Sequence, residues 1–224
     1  MSKRHNLKFY IFGDSSSYGQ LVSSHQTWAT VLAKDLSLFQ QESISILTQN
    51  TGVNGNTTRQ ALERLYFDVT SHEPDIVMVQ FGLNDCNYWE TDKGIPRVSK
   101  SAFVANLVEI IEKLFANGAK HCILNTNHPT QKGDFAHIKK NYDQSNSEYC
   151  ELIRVTYENL KNKYSQITLI DIESKWNNYL LSNTEISLED LLLPDKIHLS
   201  YKGHEIYHKI ITPKTIDIVR NYFS

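Results

Sequence analysis

Short apolar runs alternate with amphipathic stretches along the whole chain, and this alternation constrains the fold more than any single residue does. The runs Lys8 to Phe12, Ser43 to Thr48, Asp75 to Phe81, Lys120 to Thr126 and Gln166 to Ile172 read as strands. Between them, Thr27 to Leu38, Thr57 to Val69, Ser101 to Asn117 and Asp143 to Tyr164 carry helix-like periodicity. A last helix is expected from about Tyr201 to Tyr222, bent at Pro213, where proline removes a backbone donor. Strands and helices in strict alternation imply parallel strands joined by crossovers, hence a three-layer α/β/α fold around about five parallel strands.

No Pro-, Gly- or Ser-rich linker and no repeat interrupts the 224 residues, so residues 1–224 are expected to form a single domain. The longest irregular regions, Cys86 to Lys100, Asn127 to Tyr142 and Ser182 to Leu199, follow a strand's carboxyl end or precede His198. They are expected to build a site. A net charge of −2 and the absence of a basic run longer than Lys139-Lys140 argue against nucleic acid or an anionic membrane as partner. The three cysteines, Cys86, Cys122 and Cys150, form no paired or metal-ligand spacing, and the polar opening segment lacks a signal-peptide core. A cytoplasmic protein that needs no cofactor and no metal is the expectation. The oligomeric state is not legible.

Four short blocks carry the chemistry: Gly13 to Gly19, Asn50 to Thr57, Gly82 to Asp85, and Asp195 to His198. The first three follow a strand, and open parallel sheets place their ligands at the carboxyl edge. Ester hydrolysis needs a hydroxyl, a base to activate it, and donors for the oxyanion that forms. Ser15 supplies the hydroxyl. His198 supplies the base, and Asp195, three residues before it, the group that orients the ring. The backbone N–H groups of Ser15 and Gly55 and the side-chain amide of Asn84 are the donors available for an oxyanion hole. Asp14 and Asp85 read as supports that accept backbone N–H groups in the tight turns.

In this order the blocks resemble the SGNH (GDSL-type) hydrolase superfamily, over nearly the whole chain. The resemblance implies a flavodoxin-like sheet, Ser15 as nucleophile, Gly55 and Asn84 as oxyanion residues, and His198 with Asp195 as base and partner. Ser16 stands where the eponymous motif has leucine, and Leu199 where proline often follows the histidine. The function expected is a serine esterase acting through an acyl-serine on a small O-acyl ester, an O-acetyl group on a carbohydrate or similar polar metabolite. A lipase, thioesterase or acyltransferase acting on longer chains is the nearer alternative.

Other residues invite competing readings. His204-Glu205-Ile206-Tyr207-His208 matches the His-Glu-x-x-His pattern of zinc hydrolases, without a convincing third ligand after it. Tyr88, Trp89 and Arg97 read either as a surface loop or as a substrate loop, with an aromatic ring stacking on a sugar and Arg97 meeting a carboxylate. Asn127 and His128, just past the fourth strand, are candidates to line the cleft, although His128-Pro129 also reads as a plain turn. Cys86 reads as a packed thiol and His121 as structural.

Overall fold

The computed structural model describes residues 5–39, 44–135 and 140–223. Its five strands are β1 (His5–Gly13), β2 (Ile44–Asn50), β3 (Ile76–Gln80), β4 (His121–Asn125) and β5 (Ile167–Ile170). Its helices are α1 (Ser15–Tyr18), α2 (Trp28–Ser37), α3 (Thr58–Asp68), α4 (Lys100–Ala116), α5 (Tyr142–Leu160), α6 (Ile172–Ser182) and α7 (Tyr201–Tyr222). The strands form one parallel sheet in the order β2-β1-β3-β4-β5. The expected α/β architecture is therefore observed. Ser43, the expected start of the second strand, and Lys139 lie outside the described residues.

Period-two alternation decides which side chain meets which layer. Leu7, Phe9 and Ile11 of β1 and Ile76 and Met78 of β3 face Trp28 and Leu32 of α2, Trp176 of α6, and Tyr207 and Ile211 of α7. The intervening Tyr10, Phe12, Val77 and Val79 face Ala61 and Leu65 of α3, Phe103 and Leu107 of α4, and Tyr149 and Ile153 of α5. Both faces are thus buried, which is why the central strands read as continuous apolar runs.

One element differs from the sequence expectation. The helix α6 has no counterpart there, because Ile172 reads as the last residue of the preceding strand run. The strand ends at Ile170, and Asp171 caps the new helix by accepting the Ser174 N–H. The last helix, α7, has the expected bounds, Tyr201–Tyr222, with Pro213 inside it. Pro213 and Lys209, whose carbonyl loses its donor, both lie on the exposed side, where water can satisfy that carbonyl.

Strand order reverses between β1 and β3: the chain leaves β1 for β2 on one side and reaches β3 on the other. The crevice beyond the carboxyl ends of these two strands is where such sheets take ligands. β1 ends at Gly13 and β3 at Gln80, directly before the Ser15 and Asn84 segments.

Candidate active site

Ser15 opens α1, a single helical turn capped by Asp14, whose carboxylate accepts the Ser16 N–H at 2.9 Å. The turn closes through the Tyr18 N–H to the Asp14 carbonyl and the Gly19 N–H to the Ser15 carbonyl. The Ser15 N–H lies in the first turn of a helix, where no intrahelical acceptor exists. Its side chain is held at the mouth of the crevice, with only 3% of the residue exposed.

The loop after β2 is laced to this turn. The Thr51 N–H donates to the Ile11 carbonyl and the Val53 N–H to the Gly13 carbonyl, at 2.8 and 3.1 Å. Gly52 lies so close to α1 that a Cβ there would sit 2.6 Å from the Tyr18 nitrogen. Gly55 adopts φ +76°, a left-handed conformation that favours glycine, and the position of its missing Cβ faces open space.

His198 reaches Ser15 from the far end of the chain. Its Nε2 lies 2.9 Å from Ser15 Oγ, and its Nδ1 lies 2.5 Å from Asp195 Oδ2. The other carboxylate oxygen, Asp195 Oδ1, accepts the Ile197 and His198 N–H groups at 2.9 Å each. Lys196, at φ +62°, gives the chain the tight turn that lets one carboxylate serve both backbone and ring. Burial pushes Asp195 up, but the His198 ring and these N–H groups outweigh it and hold the carboxyl below its ordinary value. An ionised Asp195 fixes the proton on Nδ1 and leaves Nε2 to accept from Ser15.

Asn84 approaches from the third side. Its Nδ2 donates to Asp14 Oδ2 at 3.4 Å, and its Oδ1 accepts from Arg97 at 3.3 Å. Asp85 is buried behind it and accepts both the N–H and the hydroxyl of Thr58, at 2.9 and 2.5 Å. Asp85 thus pins α3 to the loop after β3, while its own backbone N–H also favours the carboxylate. Burial, with the Asp85 charge nearby, raises Asp14 to about 7 despite the Ser16 N–H; burial also raises Asp85 to about 6 against its bonds to Thr58.

Two residues expected in the cleft belong to the interior. Asn127 is fully buried, with its amide spent on Gln80 at 2.8 Å and Asn146 at 3.0 Å, so it has no surface for a substrate. His128 is equally buried and held near pKa 4 by that burial. Its Nε2 lies 2.8 Å from the Ile197 carbonyl. Together they complete a buried chain that sequence reasoning misses: Ser17 Oγ to Gln80, Gln80 to Asn127, Asn127 to Asn146, Asn146 to the His128 carbonyl. This chain ties the turn bearing Ser15 to the loop bearing His198 beneath the crevice.

Arg64 is missed in the same way. From α3 it donates to the Gly13 and Thr51 carbonyls and to Asn56, at 2.8, 2.7 and 2.6 Å, and packs on the Phe12 ring. It thus clasps the ends of β1 and the loop after β2. The local sequence offers only the i,i+4 pairing with Asp68, 2.7 Å away, which by itself reads as an ordinary helix-surface ion pair.

The loop after Asn84 is a closed excursion. Tyr88 bridges Pro96, and the Arg97 N–H returns to the Asn87 carbonyl. The Tyr88 ring packs on Phe135 with centroids 4.7 Å apart, whereas Trp89 is 52% exposed and lies over the Arg97 guanidinium at 4.3 Å. Cys86 is fully buried, and burial pushes its thiol up, which makes it a packed thiol rather than a nucleophile.

The His-Glu-x-x-His pattern does not converge as a metal site. His204 points into the core, where Nδ1 accepts the Trp28 N–H at 3.2 Å, and burial lowers it to about 4. His208 turns to Asp35, with Nε2 2.6 Å from its carboxylate. The two rings line a cavity of about 380 Å³ with His25 and Glu205. Among the described residues, no three His, Cys, Asp or Glu side chains are grouped to hold an ion.

Known proteins resemble this chain in sequence and in fold. Residues 11–206 match the GDSL-like Lipase/Acylhydrolase family. The chain belongs to that family and is a carboxylic ester hydrolase. It is 26% identical over 216 residues to the uncharacterized lipoprotein YqeF of Bacillus subtilis, covering 88% of this chain and 85% of that one. It is 25% identical over 126 residues to an arylesterase of Vibrio mimicus, covering 56% of this chain and 58% of that protein. Among solved structures, the acetyl-xylooligosaccharide esterase Axe2 of Geobacillus stearothermophilus, solved as a mutant, matches with TM-score 0.73 at 20% identity, covering 94% of each chain. A lipase/acylhydrolase from Enterococcus faecalis matches with TM-score 0.67 at 24% identity, covering 93% of this chain and 94% of that one. These structural likenesses show the shared fold.

Proposed function

We propose that this chain is a serine esterase that removes small O-acyl groups, acetyl above all, from a carbohydrate or a similar polar alcohol through an acyl-serine on Ser15. The observation that carries the reading is the unbroken sequence Ser15 Oγ, His198 Nε2, His198 Nδ1, Asp195 Oδ2, with links of 2.9 and 2.5 Å. His198 takes the Ser15 proton as Oγ attacks the acyl carbon, then returns it to the leaving alcohol; water repeats the cycle on the acyl-serine. Asp195 stabilises the imidazolium that forms in between. The Ser15 and Gly55 N–H groups and Asn84 Nδ2 are the donors assigned to the oxyanion.

The acetyl preference has separate support. Axe2 is described as an acetylxylan esterase, and its catalytic mutants replace a serine, and an aspartate and a histidine three positions apart. Asp195 and His198 have the same spacing. Hydrolysis of p-nitrophenyl acetate by wild type and Ser15→Ala, with and without EDTA, tests the mechanism. Loss in Ser15→Ala alone is expected. Activity that survives Ser15→Ala and falls with EDTA would overturn it. A series of longer acyl esters then sizes the acyl pocket, with acetate expected to be the best substrate.

A further inference from the structure

Arg97 is a half-buried cation that forms no ion pair among the described residues. Its guanidinium instead donates to Asn84 Oδ1 at 3.3 Å and lies 4.3 Å from the centre of the Trp89 ring. Its backbone is fixed by the Arg97 N–H to the Asn87 carbonyl at 2.9 Å. On the other end of the same amide, Asn84 Nδ2 faces Asp14 Oδ2 at 3.4 Å.

A guanidinium offers only donors, and a carboxylate oxygen accepts, so this pair of neighbours defines which way the Asn84 amide points. A flipped amide would set NH₂ against guanidinium and oxygen against carboxylate. In the observed orientation one Nδ2 hydrogen goes to Asp14 and the second is left for the site. A cation donating to Oδ1 also draws electron density from the amide and makes that remaining N–H a stronger donor. Trp89 holds the guanidinium from one side while half of its own surface stays exposed. An exposed indole beside a polar site suits the apolar CH face of a ring alcohol better than it suits a flexible acyl chain.

Resting on the serine-esterase reading above, we infer that Arg97 is a positioning residue that orients and polarises the Asn84 amide, and that Trp89, stacked on it, is the shelf for the alcohol half of the ester, a sugar ring. The pair links recognition of the alcohol to the donor that meets the oxyanion.

The test compares ethyl acetate, whose alcohol is too small to stack, with xylose tetraacetate, both followed by proton release in a pH-stat. The enzymes are wild type, Ser15→Ala, Asn84→Ala, Arg97→Ala, Arg97→Lys, Trp89→Ala and the Asn84→Ala/Arg97→Ala double variant, with folding checked by circular dichroism. Arg97→Ala is expected to lower kcat/KM about 10-fold on both esters, a fraction of the loss from deleting an oxyanion donor outright. Arg97→Lys, which keeps a cationic donor, should recover most of that loss and carries the test if the alanine variant is unstable. In the Asn84→Ala background, removing Arg97 should change the rate by less than about twofold, since the amide it acts through is gone. Trp89→Ala should raise KM for xylose tetraacetate about 10-fold while shifting kcat/KM on ethyl acetate by no more than about threefold.

An Arg97→Ala enzyme as fast as wild type, or equal losses with and without Asn84, would overturn the positioning role. A Trp89→Ala effect equal on the two esters would overturn the shelf. Full activity in Ser15→Ala would instead bring down the esterase mechanism, and this inference with it.

Discussion

Two histidine segments flank Ser200, and they are built from similar parts. One is Asp195-Lys196-Ile197-His198; the other is His204-Glu205-Ile206-Tyr207-His208. Each puts imidazoles and carboxylates within one or two turns of chain, and each matches a pattern known for hydrolytic chemistry. The first lies in a turn, where Lys196 at φ +62° swings the His198 ring out toward Ser15. The second lies in the first turns of α7, whose inner face is committed to the core, so His204 is spent on the Trp28 N–H and His208 on Asp35. The difference teaches that the destination of each ring nitrogen, set by the element carrying it, assigns the chemistry. Residue type and spacing only nominate candidates.

The sharpest way to break this contrast is to delete both histidines separately. His198→Ala or Ser15→Ala should lower kcat on the order of 10⁶-fold if this triad acts as a unit, as the triad of subtilisin does. His208→Ala should leave kcat within about threefold. A large loss in His208→Ala, or a chelator-sensitive rate, would erase the distinction. Next in size, Asn84→Ala should lower kcat about 10²–10³-fold with little change in thermal stability, the loss expected for one oxyanion donor. Steady-state kinetics beside a melting curve separates the two effects.

His204→Ala should invert that pattern. Removing a buried ring that accepts a backbone N–H should cost about 2–4 kcal/mol of stability while sparing kcat, read by denaturant unfolding. The smallest effect concerns Asp14. Its carboxyl is raised to about 7 in the folded protein, above an ordinary value near 4, so the native state binds the extra proton between those limits. Its contribution is therefore full below about pH 4 and is lost as pH rises through about 7. Relative to Asp14→Asn, wild type should lose on the order of 1–4 kcal/mol between about pH 4.5 and 7.5. A stability difference that does not change with pH would contradict the assignment.

The same contrast explains what is legible in the sequence. All five strands are readable because both faces of each central strand are apolar and the helices between them keep one buried stripe. Ser15, Gly55, Asn84, Asp195 and His198 sit on turns, where polar residues stand out against apolar flanks. Helix α6 is hidden because its first residue, Ile172, continues an apolar run and few of its side chains reach the core. Gln80, Asn127 and Asn146 are unreadable as a network for a different reason. Each amide finds its partner across the fold, 47 or 19 residues away, and nothing local distinguishes a buried asparagine from one lining a cleft. Asn127 and His128 therefore read as cleft residues and are internal. Arg64 shows the same limit, since its contacts to the Gly13 and Thr51 carbonyls and the Phe12 ring exist only once the sheet edge is assembled.

The measurement that most directly tests the central claim is covalent trapping. The protein is treated with a serine-directed organophosphonate and the adduct located by intact-mass and peptide mass spectrometry. One adduct per chain on Ser15 is expected, absent in Ser15→Ala, strongly slowed in His198→Ala and formed at the wild-type rate in His208→Ala. Ester hydrolysis that continues at full rate with Ser15 unmodified, or an adduct that forms as fast without His198, would contradict the account.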